Sequence, residues 1–352
     1  MLSFQEAIQD STQFSKRHLL LGNGFSIALR PDIFLYGSLF KRANFSKHPQ
    51  LAKVFETLGT QDFEVAIHIL EASAKLAPIY AAAGSNPSVA MLADAKALKE
   101  ILVETIAANH PDVPSDIPHP KFWACRTFLA YFLGSNDGQV YTLNYDLLLY
   151  WTLMHEDNPF TSSPLSIATN DGFGNDEDDP AADYVVWQGE TAAHSAKVHF
   201  LHGALHLFDA GTELQKYTWV RTNQRLVDQA RAAINADKFP LFVSEGTSAQ
   251  KKTKIRHNAY LYQGFKQFTS NAQQTRVCFF LHGHSLAAND DHILKRLGAG
   301  RFPKLYVSIF GDPASPTNKE IVARAGALAD LRRGRDRLLV EFYDAASAKV
   351  WG

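Results

Sequence analysis

Residues 18 to 21, "HLLL", open the chain's first short apolar run, the pattern of a strand buried on both faces. From about residue 38 to 135 the period becomes helical. In "VAMLADAKALKEILVETIAANH", Leu98, Ile101, Leu102, Thr105 and Ile106 recur at i, i+3, i+4 spacing and share one face. "DFEVAIHILEASAKLA" and "HPKFWACRTFLAYFLG" behave alike, and the breakers "GSNPS" and "HPDVPSDIPHP" separate them. The pattern predicts an all-helical module over 38–135.

Beyond residue 136 the pattern changes again. "GQVYTLNYD", "YVVWQ", "AKVHFLHG", "KYTWVR", "PLFVS", "TRVCFFLHG", "PKLYVSIFG" and "DRLLVEFYD" are short and rich in β-branched and aromatic residues, as strands are. The helical stretches "QRLVDQARAAINA", "AYLYQGFKQFTSN", "DDHILKRLGA" and "NKEIVARAGALADLRR" lie between the later ones. Strands alternating with helices predict a parallel sheet with crossovers. One strand precedes the helical module and the rest follow it. The organisation expected is an open α/β core, 1–37 plus 136–352, with 38–135 as a helical insertion after the first strand. The acidic stretch "DGFGNDEDDPAAD" (171–183) reads as a solvated loop; its spacing does not fit a Ca²⁺ loop.

Composition narrows the function classes. Hydrophobic residues make up 46% of the 352, enough for a sizeable core, and the formal net charge is -1. That charge gives no global attraction to nucleic acid or an anionic membrane, so neither is an expected partner. The run "LRRGRDR" is the one hint of nucleic acid, and Arg is favourable at a helix end in any case. The two cysteines, Cys125 and Cys278, exclude a disulfide framework and a Cys-x-x-Cys zinc pair and suit a reducing cytosol. The polar start "MLSFQEAIQDSTQF" does not read as a signal peptide, and no apolar run reaches the length of a membrane span. A cytoplasmic location is expected.

In an open α/β sheet, ligands bind at the carboxyl ends of the strands. Four polar segments fall there. In "LLLGNGFS", Gly22 and Gly24 would let backbone N–H groups approach a phosphate at a helix N-terminus. The position of the third dehydrogenase glycine is Ile27, and a tight turn is the competing reading. "VYTLNYDLLL" presents Thr142, Asn144 and Asp146; Asn144 can both donate and accept, and Asp146 can equally cap the next helix. In "VHFLHGALHLF", His202 before Gly203 suits a general base, with a structural histidine or a three-His metal site (His199, His202, His206) as alternatives. In "VCFFLHGHSLAANDDHIL", Gly283 permits close approach, and Asn289 and Asp290 are natural caps.

"GNGFS", "TLNYD", "LHG" and "LHGHSL…ND", in that order, resemble the sirtuin-like NAD-binding fold, closest to its bacterial NAD-consuming branch. The resemblance covers residues 18 to 30 and about 136 to 310. It implies a Rossmann-like, doubly wound, mainly parallel sheet. By resemblance, Gly22, Asn23, Gly24, Phe25 and Ser26 would bind the NAD diphosphate. Asn144 and Asp146 would face the nicotinamide riboside, His202 would be the catalytic base, and Gly283, His284 and Ser285 would meet the adenosine side; Thr142 and Asp290 are further cofactor-binding candidates. Deacylating sirtuins carry a four-cysteine zinc module that two distant cysteines cannot build; Leu143 replaces the usual Gln and Asn23 the usual Ala. Deacylation and a metal are therefore not expected. NAD cleavage to nicotinamide and ADP-ribose is, with NAD as substrate. A regulated NAD-depleting role in bacterial antiphage defence would fit, and so would a non-catalytic NAD or ADP-ribose sensor. The helical insertion is a candidate lid, or an assembly surface for a second copy or a regulatory protein. "VSEGTSAQKKTKIRHNAYL" also resembles a segment of that branch; Lys251, Lys252 and Arg256 could neutralise a phosphate or belong to a solvated basic loop.

Overall fold

The computed structural model describes residues 1–352 except 33, 35–38, 62, 81–84, 86, 109, 161–164, 194, 195, 218–223, 244–246 and 333–336. Six parallel strands form its main sheet: β1 (Lys16–Leu21), β2 (Val140–Thr142), β5 (Val198–Phe200), β9 (Val277–His282), β10 (Lys304–Ile309) and β11 (Leu339–Asp344). Their order is β11-β10-β9-β1-β2-β5. Counted along the chain this is 6-5-4-1-2-3, the order of the doubly wound dinucleotide-binding fold. The strand order reverses direction between β1 and β9, where Leu21 pairs with His282.

These strands are central because they are apolar on both faces: all six residues of β9 and the last four of β1 are buried. Alternate side chains of β9 serve opposite layers. Phe280 meets Phe4 of α1 (Phe4–Asp10) and Phe132 of α7 (His119–Leu133), whereas Phe279 meets Phe268 of α12 (Ala259–Ala272). α13 (Asp291–Gly298) and α14 (Pro316–Asp330) make the last two crossovers.

Every described element between β1 and β2 is helical: α2 (Gly24–Ile27), α3 (Leu39–Arg42), α4 (Pro49–Leu58), α5 (Phe63–Tyr80), α6 (Ser88–Ala107) and α7, with one 3-10 turn at Pro114–Asp116. α5 packs on α6, and α6 on α10 (Leu226–Asn235). α7 instead packs on β1, and its Phe128 touches His282. The last helix of the 38–135 stretch is therefore a crossover helix of the core. The break "GSNPS" lies partly outside the described residues.

One expectation is corrected. "YVVWQ", "KYTWVR" and "PLFVS" do not join the parallel sheet. β3 (Phe173–Gly174), β4 (Tyr184–Trp187), β6 (Gly203–Asp209), β7 (Leu214–Tyr217) and β8 (Phe239–Phe242) form a second, antiparallel sheet in the order β3-β4-β7-β6-β8. The connections explain it: β6 runs into β7 through a short turn at 210–213, while a parallel return needs about a dozen residues or more. The part of "KYTWVR" at 218–221 lies outside the described residues. α8 (Leu148–Met154) and α9 (Gly189–Ala193) complete the path from β2 to β5. The acidic stretch is solvated except at its start, where buried Asp171 pairs with Lys216 of β7 at 2.7 Å. "TSAQKKTKIRH" is no loop: it forms α11 (Ser248–His257), started by a Thr247/Gln250 capping box.

Candidate functional site

The four polar segments follow β1, β2, β5 and β9, adjacent strands at the carboxyl edge of the sheet. The first and second are joined by hydrogen bonds. Asn144 Nδ2 donates to the Gly22 carbonyl at 3.0 Å and to Ser26 Oγ at 3.2 Å. Ser26 Oγ donates to Asp146 Oδ2 at 2.5 Å, and Asp146 Oδ1 accepts the Leu148 N–H at 2.9 Å. Asp146 is thus both a start for α8 and part of the site. Burial pushes its carboxyl up to about 6 against these hydrogen bonds. Thr142 Oγ1 accepts the Asn144 N–H at 3.0 Å. Asn144 Oδ1 accepts no hydrogen bond from the described residues, which leaves it open to a ligand hydroxyl.

The first and fourth segments meet backbone to backbone. A Cβ on Gly22 would lie 2.6 Å from the Gly283 carbonyl oxygen, one on Gly24 2.6 Å from Gly283 Cα, and one on Gly283 2.5 Å from the Phe25 nitrogen. Gly283 is also left-handed, at φ +68. Packing of the two loops therefore accounts for the three glycines without a ligand. It also spends their donors. Gly22 N–H bonds His282 O, Gly24 N–H bonds Gly283 O, Phe25 N–H bonds Gly22 O, and Ser26 and Ile27 N–H both bond Asn23 O. Only the Asn23 N–H of residues 22–27 donates to no described group. As folded, the loop is not an open phosphate cradle. The Phe25 ring is occupied as well: it is buried against Trp351, whose indole N–H donates to the Phe25 carbonyl at 2.7 Å.

The third and fourth segments meet through imidazoles. His202 sits in the two-residue corner between β5 and β6, 3% exposed, with Nε2 3.0 Å from His292 Nε2 and the rings stacked. Burial holds His202 well below its usual value; Asp290 opposes that, and Lys251, His292 and His284 add to it. Burial likewise lowers His292 to about 4. Both rings are neutral near pH 7, so one Nε2–H donates to the other Nε2. His292 Nδ1 lies 3.3 Å from Ser248 Oγ, which accepts the His292 N–H at 2.8 Å. Beside this pair, Asp290 takes Lys251 Nζ at 2.9 Å and faces His284 Nε2 at 3.4 Å. His284 Nδ1 accepts the Leu286 N–H at 2.8 Å, so its proton is on Nε2, toward Asp290. Burial alone would raise the Asp290 carboxyl; its hydrogen bond with His284 and the field of the Lys251 ammonium instead hold it well below the carboxylate range. Ser285 is half-buried beside this cluster in sequence.

His202, Asp290 and His292 bring ligand atoms within 4.8 Å of one another, the set a divalent cation could use. The Lys251 ammonium already neutralises Asp290 there and opposes a second cation. The three-histidine alternative falls on geometry: among the described residues the ligand atoms clustered with His202 belong to Asp290 and His292, while His199 stacks on Tyr141 and His206 on Tyr150. Sequence reasoning missed His292 and Ser248, which lie on helices behind the strand ends. It placed Lys251 in a basic loop, whereas the side chain is buried in an ion pair. A cleft of about 1500 Å3 lies between α4–α5 and α11, and Ser248, Lys251 and Asn289 are in its wall.

A family model described as "Domain of unknown function (DUF4917)" matches residues 19–351. The chain belongs to this DUF4917 family. The match runs from β1 to Trp351, so the DUF4917 domain contains all four loops, both sheets and the residue that closes over Phe25. No curated protein matches the chain significantly. Among its described residues, no DUF4917 helix is long and apolar enough to cross a membrane.

Proposed function

We propose that the protein binds NAD across the β1/β9 switch point and hydrolyses its nicotinamide–ribose bond. The observation that carries this reading is the convergence of four polar loops at that point: Asn144 is bonded into the glycine loop, and a neutral buried His202 closes the next strand. Breaking the bond leaves an oxocarbenium-like carbon that water must attack. Asn144 Oδ1 accepts from a ribose hydroxyl or from the attacking water, while Ser26 and Asp146 hold the Asn144 amide in place. The water oxygen bonds to the ribose carbon, the bond electrons leave with nicotinamide, and His202 takes the water proton. His202 Nε2–H then passes a proton to His292 Nε2, His292 Nδ1–H passes one to Ser248 Oγ, and the Ser248 hydroxyl releases its own proton to water in the cleft. The products are nicotinamide, ADP-ribose and one proton.

The spent N–H groups of residues 22–27 support a resting enzyme that must open its glycine loop before the diphosphate seats. They equally favour a second reading, a sensor that opens for NAD or ADP-ribose and cleaves nothing. Purified protein incubated with NAD, alone and with candidate activators, tests both by chromatography of released nicotinamide. Turnover lost in His202→Ala and Asn144→Ala supports hydrolysis. Turnover untouched by both substitutions sinks the assignment, and a raised melting temperature with NAD but no nicotinamide selects the sensor.

A further inference from the structure

A second depression, of about 450 Å3, lies among α11, α12 and α13. Lys252, Arg256, Lys266 and Arg296 line it, and no carboxylate does. Several buried or half-buried cations elsewhere are paired with a carboxylate: Arg126 with Asp157, Lys216 with Asp171, Lys251 with Asp290, Arg324 with Asp291. Here Lys252, Arg256 and Arg296 have no acidic partner among the described residues, and only Lys266 reaches one, Glu190, at 3.2 Å. Arg296 packs its guanidinium over Phe265 at 5.4 Å, and its Nε is buried with no hydrogen-bond partner. Like charges held together repel, and a chain of formal net charge -1 has no global excess to account for them. An anion seated among the four cations relieves that repulsion.

We propose that this depression binds a compact diphosphate, free or carried by a nucleotide, with Lys252, Arg256, Lys266 and Arg296 as its cations. The two guanidiniums supply planar forks for phosphate oxygens, and the two ammoniums supply point charges. The volume falls within the range of small-molecule sites, roughly 300–1,000 Å3, and exceeds the needs of a single phosphate. The position gives the site a lever. α11 carries Arg256 together with Ser248 and Lys251, and α13 carries Arg296 one turn beyond His292. An anion bridging Arg256 and Arg296 ties together the two helices that carry Ser248 and His292, the partners behind His202. The site does not depend on NAD hydrolysis.

Titration calorimetry of the whole chain with inorganic pyrophosphate and with ADP, at about 10 mM ionic strength where the Debye length is about 30 Å, tests it. Pyrophosphate should bind the wild type, about tenfold or more weakly in Arg256→Gln/Arg296→Gln and in Lys252→Gln/Arg256→Gln, and with lower affinity at about 0.15 M salt. The second pair leaves the Arg296–Phe265 stack intact, so loss in both cannot be charged to disturbed packing. Asn144→Ala should bind as the wild type does. Tighter binding of ADP than of pyrophosphate would support a nucleotide as the source. Three outcomes overturn the proposal: no binding of pyrophosphate to the wild type, unchanged affinity in either double variant, or loss in Asn144→Ala alone, which would put the anion at the switch point.

Discussion

Gly211, Gly22 and Gly283 separate two costs that usually arrive together. Gly211 is left-handed, at φ +83, with nothing within 4 Å of an added Cβ. Gly22 lacks the positive φ, but its Cβ would lie 2.6 Å from the Gly283 carbonyl oxygen and 2.7 Å from His284 Cα. Gly283 combines φ +68 with a Cβ 2.5 Å from the Phe25 nitrogen. Left-handed backbone costs a non-glycine residue about 1–2 kcal/mol. Forcing an extra carbon into filled space costs about 1–3 kcal/mol, and here the obstructing atoms are mostly backbone, which no rotamer change can move. Alanine should therefore destabilise by about 1–2 kcal/mol at 211, about 1–3 at 22 and about 2–5 at 283, the last approaching the sum of the other two. Urea unfolding at pH 7 measures all three, read from the midpoints at constant slope. If Gly283→Ala is no worse than Gly211→Ala, the two loops are not packed as described, and the glycines would need a ligand to explain them.

Acid should weaken the fold. Burial holds His110, His199 and His282 near 4, below the unfolded value of about 6.5, so their contribution is complete above about 6.5 and is lost as pH falls toward 4; a urea midpoint that rises between pH 6.5 and 4.5 contradicts this. Asp146 acts in the opposite sense. Its folded value near 6 exceeds the unfolded value of 3.8, so the stability it contributes is present below about 3.8 and lost as pH rises through 6. Asp146→Asn should gain up to about 3 kcal/mol relative to wild type across that window, and a difference that does not change with pH refutes it. Asp290→Asn leaves the Lys251 ammonium buried without its counter-charge and should cost about 3–5 kcal/mol. Adding Lys251→Met should recover most of the loss; a double variant no more stable than the single in urea would rule out the ion pair as the cause.

The strand ends were readable because their signals are local. A buried apolar run that stops at a polar turn marks a strand in a parallel sheet, and β1, β2, β5 and β9 follow that rule. The antiparallel sheet was misread because its strands share the same β-branched and aromatic composition; only the short 210–213 turn distinguishes a hairpin from a crossover. Gly22 and Gly24 had two explanations in sequence, a ligand or another loop, and only Gly283's position in space decides that loop packing suffices. His292 and Ser248 carry no local signal. Each looks like an ordinary helix-end residue until α11 and α13 come together behind His202. Lys251 and Lys252 are neighbours in one basic run, yet the turn of α11 buries the first in an ion pair and leaves the second facing the cationic depression.

The central position of β1 sets an order of events during synthesis. This strand is made early, yet it pairs on one side with β2 and on the other with β9, and its loop receives the Trp351 indole bond from 326 residues away. At translation rates of about 5–20 residues per second, β1 waits roughly 10–50 s for β9 to emerge. During that interval β1 can pair with β2 and, through it, β5, but its β9 edge stays open. The helices α4 to α6 have local contacts and can assemble first. The β1/β9 crevice is then among the last parts of the core to close, and a nascent chain that stops before β9 lacks it.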